Sequence, residues 1–173
     1  MASQIEQTVA SNDRMMCVGI EISNNSKFTL DSPEFYVHGG IVLSPPTLII
    51  EPGKSGTCMF TKYAYSWCGV EGVLAYDFNG KKLCLMFSNP FWSWVHNRKF
   101  NLMIYDEKKN VNQQLFNNMG LENTTINSNI CVVGDSSLSK ITVDSEDVKV
   151  TATMSSSVKS VIKIDIRDRF VSA

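Results

Sequence analysis

Short runs in which apolar and β-branched residues recur at every second position dominate the chain, a pattern typical of β-strands. In the run from Val70 to Phe78, one face is made of every second residue: Val70, Gly72, Leu74, Tyr76 and Phe78. The next run, from Lys81 to Ser88, carries apolar residues on both faces and is therefore expected in the middle of the protein. We predict strands over residues 15–22, 56–61, 70–78, 81–88, 98–105, 147–154 and 160–166.

A tight hairpin is predicted between the two central runs. Asn79-Gly80 separates them, and a type I′ turn requires φ > 0 at both central residues, which Asn and Gly adopt most readily.

One segment favours a helix, over residues 106–119. Asp106 can cap its start, Val111, Leu115 and Met119 belong to an apolar stripe that also includes Phe116, and Gly120 is placed to end it. Many short strands with one late helix indicate an all-β sandwich or barrel. With 173 residues and no linker-like stretch, the chain is expected to form a single domain over residues 1–173.

Composition excludes several classes of protein. The net charge of −1 gives no basic face for nucleic acid. The amino terminus lacks the basic start and apolar run of a secretory signal, and no stretch of 18 apolar residues occurs, so we expect a protein that is cytoplasmic as synthesised. Membrane association, or release by an unconventional route, stays open. Five scattered cysteines, an odd number, favour reduced and buried thiols.

Catalytic and metal-binding motifs are not evident. The two histidines, His38 and His96, have no cysteine or carboxylate at metal-ligand spacing. Gly53-Lys54-Ser55 resembles the end of a phosphate-binding loop, but the motif needs a glycine where the chain has Leu48, so a turn is the better interpretation. We expect a binding protein rather than an enzyme, with no cofactor and no metal.

The most distinctive segment joins two central strands and is rich in aromatic residues. Phe91, Trp92 and Trp94 are followed by the cations Arg98 and Lys99. Tryptophan combines a large apolar body with a polar N–H, which suits membrane interfaces and stacking sites. A second aromatic cluster precedes the Val70 strand and consists of Tyr63, Tyr65 and Trp67. Rings that only cover the end of a sandwich as satellite core are the alternative, but Trp92 and Trp94 alternate with Phe91 and Ser93 and cannot all point inward.

The chain resembles the actinoporin-like family, the pore-forming cytolysins of sea anemones and their vertebrate, mainly fish, relatives. The resemblance runs from about residue 16 to residue 166. It rests on the order and spacing of five segments: VGIEI at 18–22, EPGK at 51–54, GVEGVLAY at 69–76, LMFSNPF at 85–91 and ATMSSS at 152–157.

The resemblance implies a β-sandwich flanked by two helices, of which the amino-terminal one lines the pore in the cytolysins. It implies membrane lipid headgroups as partners, with homo-oligomers on membranes left open. Fungal fruit-body lectins share this sandwich, so a lectin-like, glycan-binding or protein-binding module without pore activity is the alternative, by analogy of fold only.

The phosphocholine pocket of the cytolysins is only partly kept. Ser88 and Pro90 match its serine and proline, whereas its valine falls on Glu71 and two of its tyrosines on His96 and Phe116. A further tyrosine pair falls near Gly120 and Leu121, and its first serine falls around Val37 or His38. Since aromatic faces hold a choline cation, these departures predict headgroup contacts at Ser88, Pro90, Glu71, His96 and Phe116 that do not depend on choline.

The amino-terminal segment is short and polar. About 14 residues precede the first predicted strand, which as a helix would measure about 21 Å, against about 30 Å for a bilayer core. Its apolar stripe is thin, with Ile5 and Val9 only. The resemblance implies a membrane-associating protein of the cytolysin lineage, the aromatic loop is its expected docking site, and the short, polar amino-terminal segment predicts that it forms pores poorly.

Overall fold

The computed structural model describes residues 1–121, 129–134 and 139–170, which form two packed β-sheets and two helices. The helices are α1 (Gln4–Ser11) and α2 (Gln113–Met119). The strands are β1 (Cys17–Asn25), β2 (Asp31–Gly39), β3 (Ile41–Ser44), β4 (Ser55–Thr61), β5 (Val70–Phe78), β6 (Lys81–Asn89), β7 (Lys99–Tyr105), β8 (Cys131–Val132), β9 (Ser139–Asp144), β10 (Val148–Met154) and β11 (Lys159–Asp168).

The sandwich consists of a six-stranded sheet in the order β3-β4-β1-β11-β10-β9 and a five-stranded sheet in the order β2-β5-β6-β7-β8. Neighbouring strands are antiparallel except for β1 and β11, which are parallel. The main core lies between the sheets, where alternate residues such as Ile20, Phe60, Phe87 and Ile162 are fully buried. The predicted fold class, an all-β sandwich with flanking helices, is confirmed.

The predicted hairpin is confirmed at Asn79-Gly80. Asn79 has φ of 45° and Gly80 has φ of 72°, as a type I′ turn requires. The turn sets the register of β5 and β6, in which Val70 pairs with Asn89 at the far end of the hairpin.

Helix α1 lies on the outer face of the six-stranded sheet. Ser3 and Glu6 form a capping box at its start, and Ile5 and Val9 are buried against the sheet. The helix approaches so closely that a methyl group on Gly19 of β1 would lie 2.3 Å from Val9 Cγ2. The thin apolar stripe predicted from the sequence is thus the face that packs on the sandwich.

Helix α2 covers the outer face of the five-stranded sheet, but the predicted start of this helix at residue 106 is wrong. Its first residue is Gln113, and the side chain of Asn112 accepts the backbone N–H of Leu115 as its N-cap. Asp106 instead accepts a hydrogen bond from Lys81 Nζ at 2.9 Å. The end of the helix at Gly120 is as predicted.

Four strands were not predicted, namely β2, β3, β8 and β9. The first two are edge strands with mainly exposed residues, so they lack a clear alternation of apolar and polar positions.

The expectation of buried thiols fits Cys17, Cys58 and Cys84, whereas Cys131 is half-buried and Cys68 is exposed in a loop.

Among the described residues, neither helix combines the length and the apolar character needed to cross a membrane.

Candidate functional site

Both aromatic segments lie at the same end of the sandwich, in the loops 62–69 and 90–98. The first loop leads into β5 and the second follows β6, and the pairing of Val70 with Asn89 places the two loops side by side. Their backbones are in direct contact at Gly69, where an added Cβ would lie 2.1 Å from the Asn89 carbonyl oxygen and 2.7 Å from the Phe91 amide nitrogen. Position 69 therefore requires glycine, because any side chain there would overlap the backbone of the second loop.

Trp67 of the first loop packs on Phe91 and Trp92 of the second, and Tyr63 and Tyr65 lie beside them. Together these rings form one surface, which we call the aromatic patch (Tyr63, Tyr65, Trp67, Phe91, Trp92 and Trp94). Trp67 stacks on Trp92 with ring centroids 5.6 Å apart and an interplanar angle of 14°. Trp92 also meets Phe91 and Trp94 edge-to-face, at 4.9 Å and 4.7 Å. Such pairs are favoured geometries for aromatic rings. Trp92 is therefore the centre of the patch.

The rings differ in how far they face solvent. Phe91 packs against the main core, and Trp92 is 36% exposed, whereas Trp94 is 75% and Trp67 is 68% exposed. Tyr65 is fully exposed and adopts a left-handed backbone conformation with φ of 63°, which is rare for a bulky residue. The inference that the rings of residues 91–94 cannot all point inward is confirmed.

Two further exposed apolar residues lie at this end of the sandwich, outside the two aromatic loops, and were not predicted as part of the site. Met15 precedes β1, and Val158 lies in the turn between β10 and β11. The Cys17 amide donates to the Val158 carbonyl and the Lys62 amide donates to the Met16 carbonyl, which ties these segments to the aromatic loops. The pairing of distant strands gathers them, so no local sequence signal indicated their place.

The cations near the patch have different environments. Lys62 Nζ lies 4.9 Å from the centroid of the Phe91 ring and donates to the Tyr63 carbonyl oxygen at 3.2 Å. Arg98 Nε donates to Asn89 Oδ1 at 2.8 Å, and Lys99 Nζ donates to the Gly120 carbonyl oxygen at the end of α2, at 2.9 Å. Arg98 and Lys99 thus stabilise the end of β6 and the docking of α2, and their predicted membrane contact stays a prediction.

Three of the five residues predicted to contact a headgroup, Glu71, Ser88 and Phe116, lie on the outer face of the five-stranded sheet. Glu71 of β5 is opposite Ser88 of β6, and the Ser88 hydroxyl donates to Glu71 Oε1 at 2.5 Å. Nearby, His38 stacks on Phe116 of α2 with centroids 4.6 Å apart, and Tyr36 packs on both rings. Glu71 therefore takes the hydroxyl proton that Ser88 would donate to a headgroup, and His38 covers one face of the Phe116 ring.

Two other predicted contacts are placed differently from these. Pro90 is buried and follows Ser88 by two residues, whereas His96 is exposed in the loop 90–98. The contact seen for His96 is a backbone hydrogen bond to the Trp92 carbonyl. The structure thus brings Ser88, Glu71, His38 and Phe116 to one face of the sheet and leaves His96 on the aromatic loop.

Among the described residues, no group of three or more His, Cys, Asp or Glu side chains is arranged to hold a metal ion. Burial raises the pKa of the Cys58 thiol to about 12. It also raises the pKa of the Cys84 thiol to about 12. Both thiols are therefore protonated at neutral pH and poor nucleophiles.

The fold is a β-sandwich with one helix on each outer face and exposed aromatic loops at one end. The family model described as sea anemone cytotoxic protein matches residues 2–168. The chain belongs to the sea anemone cytotoxic protein family.

Two curated relatives are 27% identical to this chain over 132 residues, DELTA-thalatoxin-Avl1b of Actineria villosa and DELTA-alicitoxin-Pse1a of Phyllodiscus semoni. In both, the match covers 74% of this chain and 57% of the relative, so the chain spans little more than half the length of these relatives. Among solved structures, that of the lipid binding protein Nakanori is similar with a TM-score of 0.66 and 15% identity, over 96% of this chain and 79% of that one. This likeness shows the fold.

Proposed function

We propose that this chain is a membrane-binding protein that docks on lipid headgroups through its aromatic patch and acts by binding rather than by catalysis. The observation that carries the proposal is that all three tryptophans of the chain lie in one continuous, solvent-facing surface at one end of the sandwich. Membership in a family of cytotoxic proteins and the fold shared with a lipid binding protein support it.

Monomeric proteins rarely expose a large contiguous apolar surface without a use for it. Tryptophan and tyrosine concentrate at the boundary between lipid and water, because their rings are apolar and their N–H and O–H groups stay hydrated. A patch in which Trp94, Trp67 and Tyr65 face outward therefore fits an interfacial depth, with Phe91 and Trp92 holding the rings in place.

The charges of the two ends of the sandwich support the same orientation. The segments around the patch carry more cations than acids: Arg14, Lys62, Arg98, Lys99 and Lys159 against Asp13 and Glu71. At the opposite end, the surface around the Asn79-Gly80 hairpin is lined by Asp106, Asp144 and Glu146, with Lys81 and Arg169 among them. A molecule with this asymmetry turns its aromatic end toward an anionic surface.

We further propose that α1 does not act as a membrane-spanning segment. Its eight residues correspond to about 12 Å, well short of the about 30 Å of a bilayer core. Its apolar residues, Ile5 and Val9, are committed to the sandwich.

The test is vesicle co-sedimentation of the wild type and of the double variant Trp94→Ser/Tyr65→Asn. Both side chains are exposed, so the fold is spared, and asparagine tolerates the left-handed conformation of residue 65. Burying an aromatic side chain contributes about 1.5–3 kcal/mol, so losing two rings should weaken binding at least about a hundredfold, at 1.4 kcal/mol for each factor of ten. The matched control is Leu48→Ser/Ile49→Ser, which removes two exposed apolar residues from the loop before β4, at the other end of that strand from the patch.

An equal loss of binding in both double variants would contradict docking through the patch. Phosphocholine should not compete with vesicle binding, because the Ser88 hydroxyl already donates to Glu71 and the Phe116 ring is already stacked on His38. Binding of the wild type to a glycan array, with no sedimentation with vesicles, would instead favour the lectin-like alternative.

A further inference from the structure

A groove opens beside the aromatic patch, between the segment that links α1 to β1 and the loop 62–69. Its volume is about 570 Å³, within the range of small-molecule sites. It is lined by Met15 of the linking segment, by Tyr63, Tyr65 and Trp67 of the loop, and by Phe91. The groove is thus a separate concavity that shares Trp67 and Phe91 with the patch.

The groove has cations among its apolar and aromatic walls. Lys62 lines it with its ammonium group over the Phe91 ring at 4.9 Å. Within the ranges that the structure describes, no carboxylate oxygen lies within ion-pair distance of this ammonium group. Arg14 also lines the groove and pairs at 3.8 Å with Asp13, whose side chain is 99% exposed. The lining therefore has two cations against one carboxylate that faces solvent.

We infer that this groove binds one anionic phospholipid molecule, with the phosphate at Lys62 and Arg14 and the adjoining glycerol and acyl segment along Met15, Tyr63 and Trp67. The inference rests on the proposed function and deepens it, because it names the headgroup class and the residues that select it. Lysine and arginine provide charge-assisted hydrogen bonds to phosphate, and the apolar walls provide contact that an inorganic anion does not use.

This site is distinct from the Ser88–Glu71 pair. The pair lies on the outer face of the five-stranded sheet beside α2, whereas the groove lies at the end of the sandwich, against residues 13–15 before β1. The charge of the groove also sets its preference. A zwitterionic choline headgroup carries its own cation toward Lys62 and Arg14, whereas a phosphatidic acid headgroup carries only negative charge.

The experiment titrates the protein with short-chain dihexanoylphosphatidic acid below its micelle concentration and follows tryptophan fluorescence. Saturable binding is expected, at least about tenfold tighter than binding of dihexanoylphosphatidylcholine. Lys62→Gln and Arg14→Gln should each weaken binding about tenfold or more, since a hydrogen bond to a charged group contributes enough for that factor. Lys54→Gln is the matched control, because Lys54 is an exposed lysine outside the groove, and its affinity should be unchanged.

Two results would overturn the groove site: equal binding of the two short-chain lipids, or Lys62→Gln and Arg14→Gln affinities that match the wild type. Vesicle binding, measured in parallel, separates this outcome from a failure of the proposed function. If the wild type sediments with vesicles but does not bind the short-chain lipid, the groove site is refuted and docking through the patch stands. If the wild type binds the short-chain lipid but does not sediment with vesicles, the groove site stands and docking through the patch is refuted.

Discussion

Replacing Gly69 by alanine is expected to separate the two aromatic loops without removing any aromatic ring. The added methyl group would lie 2.1 Å from the Asn89 carbonyl oxygen, 2.7 Å from the Phe91 amide nitrogen and 2.7 Å from Pro90 Cα, all of which are backbone atoms. An ordinary contact begins at 3.4 Å, so the backbones must move apart by more than 1 Å. No side-chain rotation relieves this overlap.

The cost follows from overpacking, which destabilises a protein by about 1–3 kcal/mol. In a domain of this size each kcal/mol lowers Tm by about 2–4 °C, so we expect Tm to fall by roughly 2–12 °C. Because Trp67 and Trp92 stack across the two loops, their near-ultraviolet circular dichroism signal should weaken, and vesicle affinity should fall with it.

Gly53→Ala is the control for this substitution. Gly53 also has a positive φ, 78°, but no atom lies within 4 Å of its added Cβ. Alanine there strains the backbone by about 1–2 kcal/mol and leaves the patch intact. A Gly69→Ala protein with an unchanged tryptophan signal and unchanged vesicle affinity would refute the view that this close contact assembles the patch.

Three further outcomes are expected. The pKa of Glu6 is lowered by its hydrogen bond from the Ser3 amide and by its pairing with Lys163, so its stabilisation of α1 is present above the unfolded value of 4.5 and is lost as the pH falls through the lower folded value. The protection factors of the α1 amides, which correct hydrogen exchange for its intrinsic pH dependence, should fall there in the wild type. An equal fall in Glu6→Gln would contradict this. Sphingomyelin vesicles should release little dye at concentrations where an anemone cytolysin empties them, because the eight-residue helix α1 is shorter than a bilayer core and its apolar residues, Ile5 and Val9, are buried against the sandwich. Full release would show this argument to be wrong. Alkylation of denatured, unreduced protein should give five adducts, with Cys68 the first to react in the native state because it is exposed; three adducts or fewer would reveal a disulfide.

The central hairpin of the sandwich could be predicted because its turn residues and its flanking apolar runs both indicate the same structure. Asn79-Gly80 fixes a type I′ turn, and the runs on either side are buried on both faces. The same turn, followed along β5 and β6, leads to the pairing of Val70 with Asn89, so the meeting of the two aromatic loops is already contained in the hairpin.

Other parts depend on tertiary contacts that local sequence does not encode. Strand β2 begins Asp-Ser-Pro, with Ser32 at φ of 49°, and its pairing with β5 is interrupted by bulges. Asp106 has the residue type of a helix cap, but Lys81 on a neighbouring strand pairs with it. The groove needs residues 13–15 beside residues 61–67, an arrangement created by the pairing of β1 with β4.

The most direct test of docking through the aromatic patch is quenching of tryptophan fluorescence by brominated lipids in vesicles. All three tryptophans, Trp67, Trp92 and Trp94, belong to the patch, so the signal reports on this surface alone. If the patch inserts at the interface, the wild-type spectrum shifts to shorter wavelength on binding and brominated acyl chains quench it. Vesicle binding with neither a shift nor quenching would contradict the account, because another surface would then face the membrane.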